Sequence, residues 1–426
     1  MPPASAAIVP PSPPTVSAAA GVAVSRLLAD YNWSGTSAGL FTTKGDTSVA
    51  TCRSTYHGGQ CWWWAANTFM ALITYAEDHL RSADKRTIMR DLQHTYTVMC
   101  GQGSCPSRPG QAGRDSFQNT YYDDTGWWDQ AWINAYKLTK TRAYLYLAEE
   151  LWSYITARGW TAACGGGVNQ HNGTRTSEDS YANALYLRNS AWLYSITSQR
   201  QYMVGVPDGS HRRGGAIADA SFIVNHLIDG PYNHIAPGTS GSQFMIADHP
   251  APGCKSVGGT QMWLSAQGEM VNAFSDMYAA DKAFHGSDPA YYNDLANNLA
   301  LTVIGNKPGT HGTIRATVDS SGILSEPCDS TTWPAGCKVH TGKNGKGDAP
   351  FLIFKGIFER GIYCSNHNLN DATLTTFISK NANSVAQLNR FGFRWDTDSN
   401  NLVNFATQTS VLDALDAQTG KSFAMC

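Results

Sequence analysis

Residues 127–157 read WWDQAWINAYKLTKTRAYLYLAEELWSYITA, and the contrast between the two halves of this stretch decides the fold. The first half, 127–139, is apolar and aromatic on nearly every side, which suits a helix buried all round. The second half, 141–157, carries Arg and Glu on one face and apolar residues at i, i+3 and i+4 on the other, which suits a helix lying between core and solvent. The same alternation runs along the chain. Apolar segments at about 62–80, 127–139, 178–197, 262–280, 348–363 and 402–417 are separated by amphipathic ones at about 19–31, 84–99, 141–157, 216–229, 288–304 and 370–388, with Gly, Pro, Asn and Ser breakers between them. Six of one kind alternating with six of the other predict an all-α (α/α)6 barrel, an inner ring of six helices inside an outer ring of six, with 19–31 closing the circle. Convincing strand alternation is almost absent, and no fixed-period repeat supports the rival α-solenoid. Residues 1–18, rich in Pro, Ala and Ser, read as a flexible lead, which leaves 19–426 as one catalytic domain.

Composition narrows the partners. A formal net charge of −2, from 31 basic and 33 acidic residues, gives no electrostatic footprint for nucleic acid or an anionic membrane, so a neutral substrate is expected. Only 15% of residues are charged while 11% are aromatic, including 13 Trp and 19 Tyr, a balance that suits stacking on sugar faces. The ten cysteines lack the paired spacing of a zinc site and read as disulfides, with Cys100–Cys105 and Cys328–Cys337 as the expected local pairs. Asn32-Trp33-Ser34 and Asn172-Gly173-Thr174 fit the glycosylation pattern. No run of eighteen apolar residues exists, and Met1 to Pro14 has neither a basic start nor an apolar centre. The expectation is a secreted protein seen without its export signal. His234, His249, His311 and His340 show no His-Glu-x-x-His pattern, so neither metal nor cofactor is expected. The glycine-rich stretch 342–347 lacks the Walker spacing and reads as a loop over a cleft.

The chemistry concentrates in Tyr121-Tyr122-Asp123-Asp124-Thr125-Gly126-Trp127-Trp128-Asp129-Gln130-Ala131-Trp132, which packs three carboxylates and five large aromatics into twelve residues. Asp123 and Asp124 are expected directly before a helix, where capping gives one of them a purely structural use. Capping does not explain two. Cleaving a glycosidic bond with retention needs carboxyl groups about 5–5.5 Å apart, and inversion about 6.5–9.5 Å. With consecutive Cα atoms about 3.8 Å apart, the adjacent pair favours retention. Two carboxyls so close share a proton and titrate as a unit, supplying a nucleophile and an acid.

This cluster resembles the signature of glycoside hydrolase family 76, the endo-α-1,6-mannanase family, which includes fungal wall enzymes of the Dfg5 and Dcw type. Other blocks agree in order. Trp63-Trp64-Ala65-Ala66-Asn67 looks like the family's first inner helix. Cys164-Gly165-Gly166-Gly167-Val168 resembles its Gly-Gly-Gly turn before Tyr181-Ala182-Asn183-Ala184. Ala266-Gln267-Gly268 is similar to a Tyr-Asn-Gln-Gly block, and Phe354-Lys355-Gly356-Ile357-Phe358 to a late Phe-Lys-Gly-Ile-Phe block, so the likeness runs from about residue 20 to 417. The resemblance implies an (α/α)6 fold and a retaining mechanism without a metal, with Asp123 as nucleophile and Asp124 as general acid/base. Ser265-Ala266 depart from the family's Tyr-Asn, and insertions near 205–215 and 232–258 add loops.

The expected function is therefore retaining, endo-acting hydrolysis of an α-1,6-mannan of microbial cell walls, on α-mannan or mannooligosaccharide, by a monomer. Alternatives are a transglycosylase on α-mannan or a GPI-type glycan, a hydrolase of another α-linked polymer such as lipomannan or α-glucan, and a lectin-like wall binder. Tyr122, Trp127 and Trp128 are candidates to stack on sugar, with plain core as the alternative for each. Asn67, Asn183, Gln267 and Lys355 are candidates to bind hydroxyls, and helix capping or a loop hydrogen bond is the alternative. Asp129 is a candidate to orient Asp124 or bind a hydroxyl.

Overall fold

The computed structural model describes residues 15–35, 38–42, 60–79, 82–100, 117–172, 178–229, 244–250, 253–254, 263–305, 317–319, 321–325, 350–398 and 403–420. In chain order outer and inner helices alternate: α1 (Val16–Ala29) outer, α2 (Gln60–Asp78) inner, α3 (Ala83–Cys100) outer, α4 (Tyr122–Thr139) inner, α5 (Arg142–Arg158) outer, α6 (Ser180–Thr197) inner. After the single turn α7 (Gln201–Val204) come α8 (Ala216–His226) outer, α9 (Leu264–Phe284) inner, α10 (Pro289–Gly305) outer, α11 (Phe354–Leu369) inner, α12 (Ala372–Ala386) outer and α13 (Phe405–Thr419) inner. The chain is an (α/α)6 barrel, as its alternating patterning predicts. The expected lead ends earlier than residue 18, because the Thr15 side chain accepts the Ala18 amide and starts α1 at Val16.

The inner helices are buried on nearly all sides, yet they meet at the axis through polar side chains. Gln130 of α4 donates to Glu269 of α9 at 2.6 Å, and Arg188 of α6 reaches the same carboxylate at 3.0 Å. Arg360 of α11 holds both oxygens of Asp413 on α13 at 3.1 Å and also donates to Asn67 of α2. Between them these two clusters draw one polar residue from each of the six inner helices. Buried pairs of this kind offset their desolvation cost only with full hydrogen bonding, so their contribution is to fix register rather than to add net stability.

Close approach between inner helices depends on glycine. A Cβ on Gly268 of α9 would stand 2.3 Å from the Phe358 Cα of α11, and one on Gly356 of α11 would stand 2.4 Å from the Ser410 Cα of α13.

Short hairpins lie at or beside the expected insertions, except the last, which lies outside them. Strand β1 (Val206–Asp208) pairs with β2 (His211–Arg213), β3 (Ile228–Asp229) with β4 (Met245–Ile246), and β5 (Thr317–Val318) with β6 (Leu324–Ser325). Strands of two or three residues are too short to show a period in the sequence. Cys164 and Cys254 are disulfide-bonded, tying the turn after α5 to the loop after β4, and Cys100 and Cys364 are also in disulfides. Cys105, Cys328 and Cys337 lie outside the described residues, as do His234, His311, His340 and 342–347. Among the described residues no helix is long and apolar enough to cross a membrane.

Candidate active site

The starts of the inner helices converge at one end of the barrel, and their aromatic rings record it. Trp63 on the first turn of α2 stacks on Trp127 of α4 at 6.3 Å and lies 6.5 Å from Phe354, the first residue of α11. Phe354 in turn meets Tyr181 at the start of α6 (6.1 Å) and Trp263, which precedes α9 (6.0 Å). The Tyr181 hydroxyl pairs with Ser265 Oγ at 2.6 Å. Ser265 thus serves to anchor Tyr181.

Asp123 and Asp124 stand at this mouth, half-buried. They are not ahead of the helix, as expected, but within its first turn. Tyr121 takes the N-cap position with an extended backbone (φ −103, ψ 118) and no side-chain cap. The chain entering α4 is held from outside: the Tyr122 amide donates to the Gln170 carbonyl at 2.7 Å and the Asn172 amide to the Thr120 carbonyl at 2.8 Å. Residues 165–167 make that strap possible, since Gly166 (φ +145) and Gly167 (φ +107) adopt conformations that other residues rarely take, and a Cβ on Gly167 would press on the Phe222 ring at 2.9 Å.

The two carboxyls differ in proton affinity. Burial pushes Asp123 up to about 6, against backbone amides at the helix start that favour its charge, and Asp248 adds repulsion. Asp124 is held well above the usual carboxylate range by burial and then by the Asp123 charge, with a 2.7 Å hydrogen bond from Asn119 Nδ2 opposing both. Of the pair, Asp124 keeps the proton. Two further carboxyls face the same place. Asp179 caps α6 by accepting the Ala182 amide at 2.8 Å, and burial followed by the charges of Asp123 and Asp248 holds it well above its ordinary value. Asp248, two residues beyond β4, is raised by burial and opposed by His249 and a hydrogen bond from Trp263. Among the described residues no group of three His, Cys, Asp or Glu has a metal-holding arrangement.

Of the expected sugar-binding residues only Trp127 borders the mouth, where it backs the half-buried Trp63 and is itself 2% exposed. Trp128, 0% exposed, is packed between Trp62 (4.9 Å) and Phe117 (4.8 Å) in the shell between the rings, so it is core. Tyr122, 2% exposed, turns outward toward Tyr154 and lies over Gly159, where an added Cβ would stand 3.0 Å from its ring. Asp129 is fully buried beside Asn189 and held well above the carboxylate range by burial, away from Asp124.

The amides and the lysine work as clamps. Asn183 brackets Val168, accepting its amide at 2.8 Å and donating to its carbonyl at 2.9 Å, and Gln267 does the same to Ile246 at 2.8 and 2.7 Å. Asn67 meets Arg360, and Lys355 donates to the Phe393 carbonyl beneath the Phe393 and Trp395 rings. The Asn183 and Gln267 clamps hold the strap and the Asp248 loop, so they shape the mouth from behind it. Of the two glycosylation candidates, Asn32 uses its Nδ2 to reach Leu40 O and Thr42 Oγ1, whereas Asn172 is exposed.

Sequence reasoning missed Trp63, Tyr181, Trp263, Phe354, Asn119, Asp179 and Asp248. A signal existed for Trp63, Tyr181 and Phe354, which are first-turn residues of inner helices inside recognised blocks. None existed for Asp248 and Trp263, which reach the mouth through loop geometry alone.

Comparison with known proteins agrees with this geometry. Residues 15–204 match the model of glycosyl hydrolase family 76. No curated protein matches the chain. Among solved structures, the α-1,6-mannanase GH76A of Salegentibacter sp. HEL1_6, as an inactive double-aspartate variant with α-1,6-mannotetrose, is similar at 16% identity and a TM-score of 0.65, covering 95% of this chain and 99% of its own. A family 76 mannosidase from Bacteroides thetaiotaomicron is similar at 14% identity and a TM-score of 0.65, covering 95% and 98%. Dfg5 from Chaetomium thermophilum, in complex with glucosamine, is similar at 14% identity and a TM-score of 0.62, covering 95% and 89%.

Proposed function

We propose that this chain, whose residues 15–204 match the model of glycosyl hydrolase family 76, is a glycosidase of that family and acts as a retaining, endo-acting α-1,6-mannanase of microbial cell-wall mannan. The observation that carries the reading is the unequal carboxyl pair, Asp123 and Asp124, in the first turn of α4 at an aromatic-walled mouth. In the proposed first step the Asp123 carboxylate attacks the anomeric carbon. Asp124 gives its proton to the departing glycosidic oxygen, leaving a glycosyl ester on Asp123. In the second step Asp124, now ionised, takes a proton from water as its oxygen attacks the same carbon and releases Asp123. The consecutive aspartates changed in the inactive Salegentibacter variants support the choice of pair. The disulfide-bonded cysteines support an oxidising, secreted setting.

Early-time NMR of products from defined α-1,6-mannooligosaccharides tests the reading. The α-anomer is expected first, in oligosaccharides released from internal bonds. The β-anomer first would overturn double displacement. Products longer than the substrate would assign transglycosylation, the reading favoured by the likeness to Dfg5.

A further inference from the structure

Asn119 lies three residues ahead of α4, is 8% exposed, and has every polar group engaged. Its Oδ1 accepts the Tyr121 amide at 2.8 Å, its main-chain N–H donates to Thr125 Oγ1 at 3.3 Å, and its carbonyl accepts the Tyr154 hydroxyl at 3.1 Å. Its Nδ2 donates to Asp124 Oδ2 at 2.7 Å. A main-chain N–H only donates, so the atom facing Tyr121 must be the amide oxygen and the atom facing Asp124 must be the NH2. The amide cannot flip. Asp124 Oδ2 is therefore an acceptor in both protonation states, and a proton on this carboxyl belongs on Oδ1.

We propose that Asn119 is a positioning residue that dedicates Asp124 Oδ2 to itself and leaves Oδ1 as the oxygen that gives and retakes the proton during glycoside cleavage. The inference rests on the reading of Asp124 as acid/base. Of the Asn119 side chain the turn into α4 uses only Oδ1, so the NH2 half is surplus to folding. Around Asp124 the other titratable groups are Asp123 on the same helix, with Asp248 beyond β4 acting on Asp123 and both of these acting on Asp179 at the start of α6. Tyr154 and Arg158 of α5 lie behind Tyr122. Burial and the Asp123 charge favour the protonated acid, and the Asn119 donor is the group that opposes them, so Asp124 can also ionise when its proton is needed by the leaving oxygen.

Asn119→Asp keeps an acceptor for the Tyr121 amide and replaces the NH2 donor with a carboxylate oxygen facing Asp124. A 13C NMR titration, with the Asp124 carboxyl assigned by its loss in Asp124→Asn, is expected to move up by about one pH unit or more in this variant. The alkaline limb of kcat/KM on an α-1,6-mannooligosaccharide should move the same way. The rate should fall at least about tenfold at pH 7, and much less on an aryl α-mannoside whose leaving group needs no proton. Asn119→Ala, which also removes the Tyr121 contact, shows by its Tm what the turn alone is worth. An unchanged Asp124 titration in Asn119→Asp, or an equal rate loss with both leaving groups, overturns the proposal. Full activity of Asp124→Asn on both substrates would instead remove the acid/base role itself, an outcome the titration keeps separate.

Discussion

Trp127 and Trp128 are separated by about 100° around α4, so one ring backs Trp63 at the mouth and the other lies in the shell between the two helix rings. Their consequences on truncation should separate cleanly from those of Trp63, the half-buried ring that stacks on Trp127. Trp128→Ala leaves a void among Trp62, Phe117 and Trp132 and is expected to cost about 3–5 kcal/mol of stability, with activity per folded molecule retained. Trp63→Ala removes a face that a sugar ring can cover and is expected to lower kcat/KM by about tenfold or more, roughly 1.4 kcal/mol, with a small change in Tm. Thermal melts paired with rates normalised to folded protein decide both, and a Trp63→Ala enzyme of undiminished kcat/KM would put that ring outside the substrate path. The sequence made the Asp123-Asp124 chemistry legible because two carboxyls flanked by rings are unusual. It hid the faces, because the start of α4 at Tyr122 sits four residues before Gly126, which reads as a breaker. Gly126 lies inside α4, where Leu185 of α6 leaves little room for a side chain, an added Cβ standing 3.0 Å from its Cβ.

Helix packing explains why some blocks that looked catalytic are architectural. Gly268 follows the Gln267 clamp, and Gly361 on the facing helix would place a Cβ 2.1 Å from the Gly268 carbonyl oxygen, so α9 and α11 touch backbone to backbone. Gly268→Ala therefore demands movement of two backbones and is expected to destabilise by about 1–3 kcal/mol or more, read as a lower urea midpoint. Gly305→Ala is the control, because the end of α10 offers open space and alanine favours helix by about 1 kcal/mol over glycine. A midpoint unchanged by Gly268→Ala would mean the two helices part easily. At this scale the twelve barrel helices were legible, since each is long enough to show its periodicity. The hairpins, the Asp248 loop and the strap over α4 were not, because they are fixed by side-chain clamps from distant helices rather than by any local pattern.

The whole barrel stores protons. Burial holds Asp124, Asp129, Asp179, Asp219, Glu359 and Asp416 well above the carboxylate range, and raises Asp91, Asp123 and Asp413 to about 6. In the unfolded chain these groups titrate near 4. The folded state therefore binds protons more tightly, so its stability from these groups is full below about pH 4. It is lost as pH rises through about 6 and on through the higher values. Above pH 4 two groups act the other way. Lys137, lowered to about 7 by burial, adds a cost that grows as pH falls toward 7 and is constant below it, and His94 is a single group lowered by modest burial. Neither reverses the slope set by nine carboxyls between pH 4 and 7. The Tm is expected to rise as pH is lowered from 8 to 5, and Glu359→Gln, which is neutral at every pH, should flatten that rise. A Tm that falls over the same interval would mean the interior carboxyls are ionised. Activity should run the opposite way, because the proposed nucleophile Asp123 must be ionised and its acid limb lies at about 6. Between pH 6 and 5 kcat/KM should fall while Tm climbs, and a profile in which both fall together would locate the limiting proton in the fold rather than on Asp123.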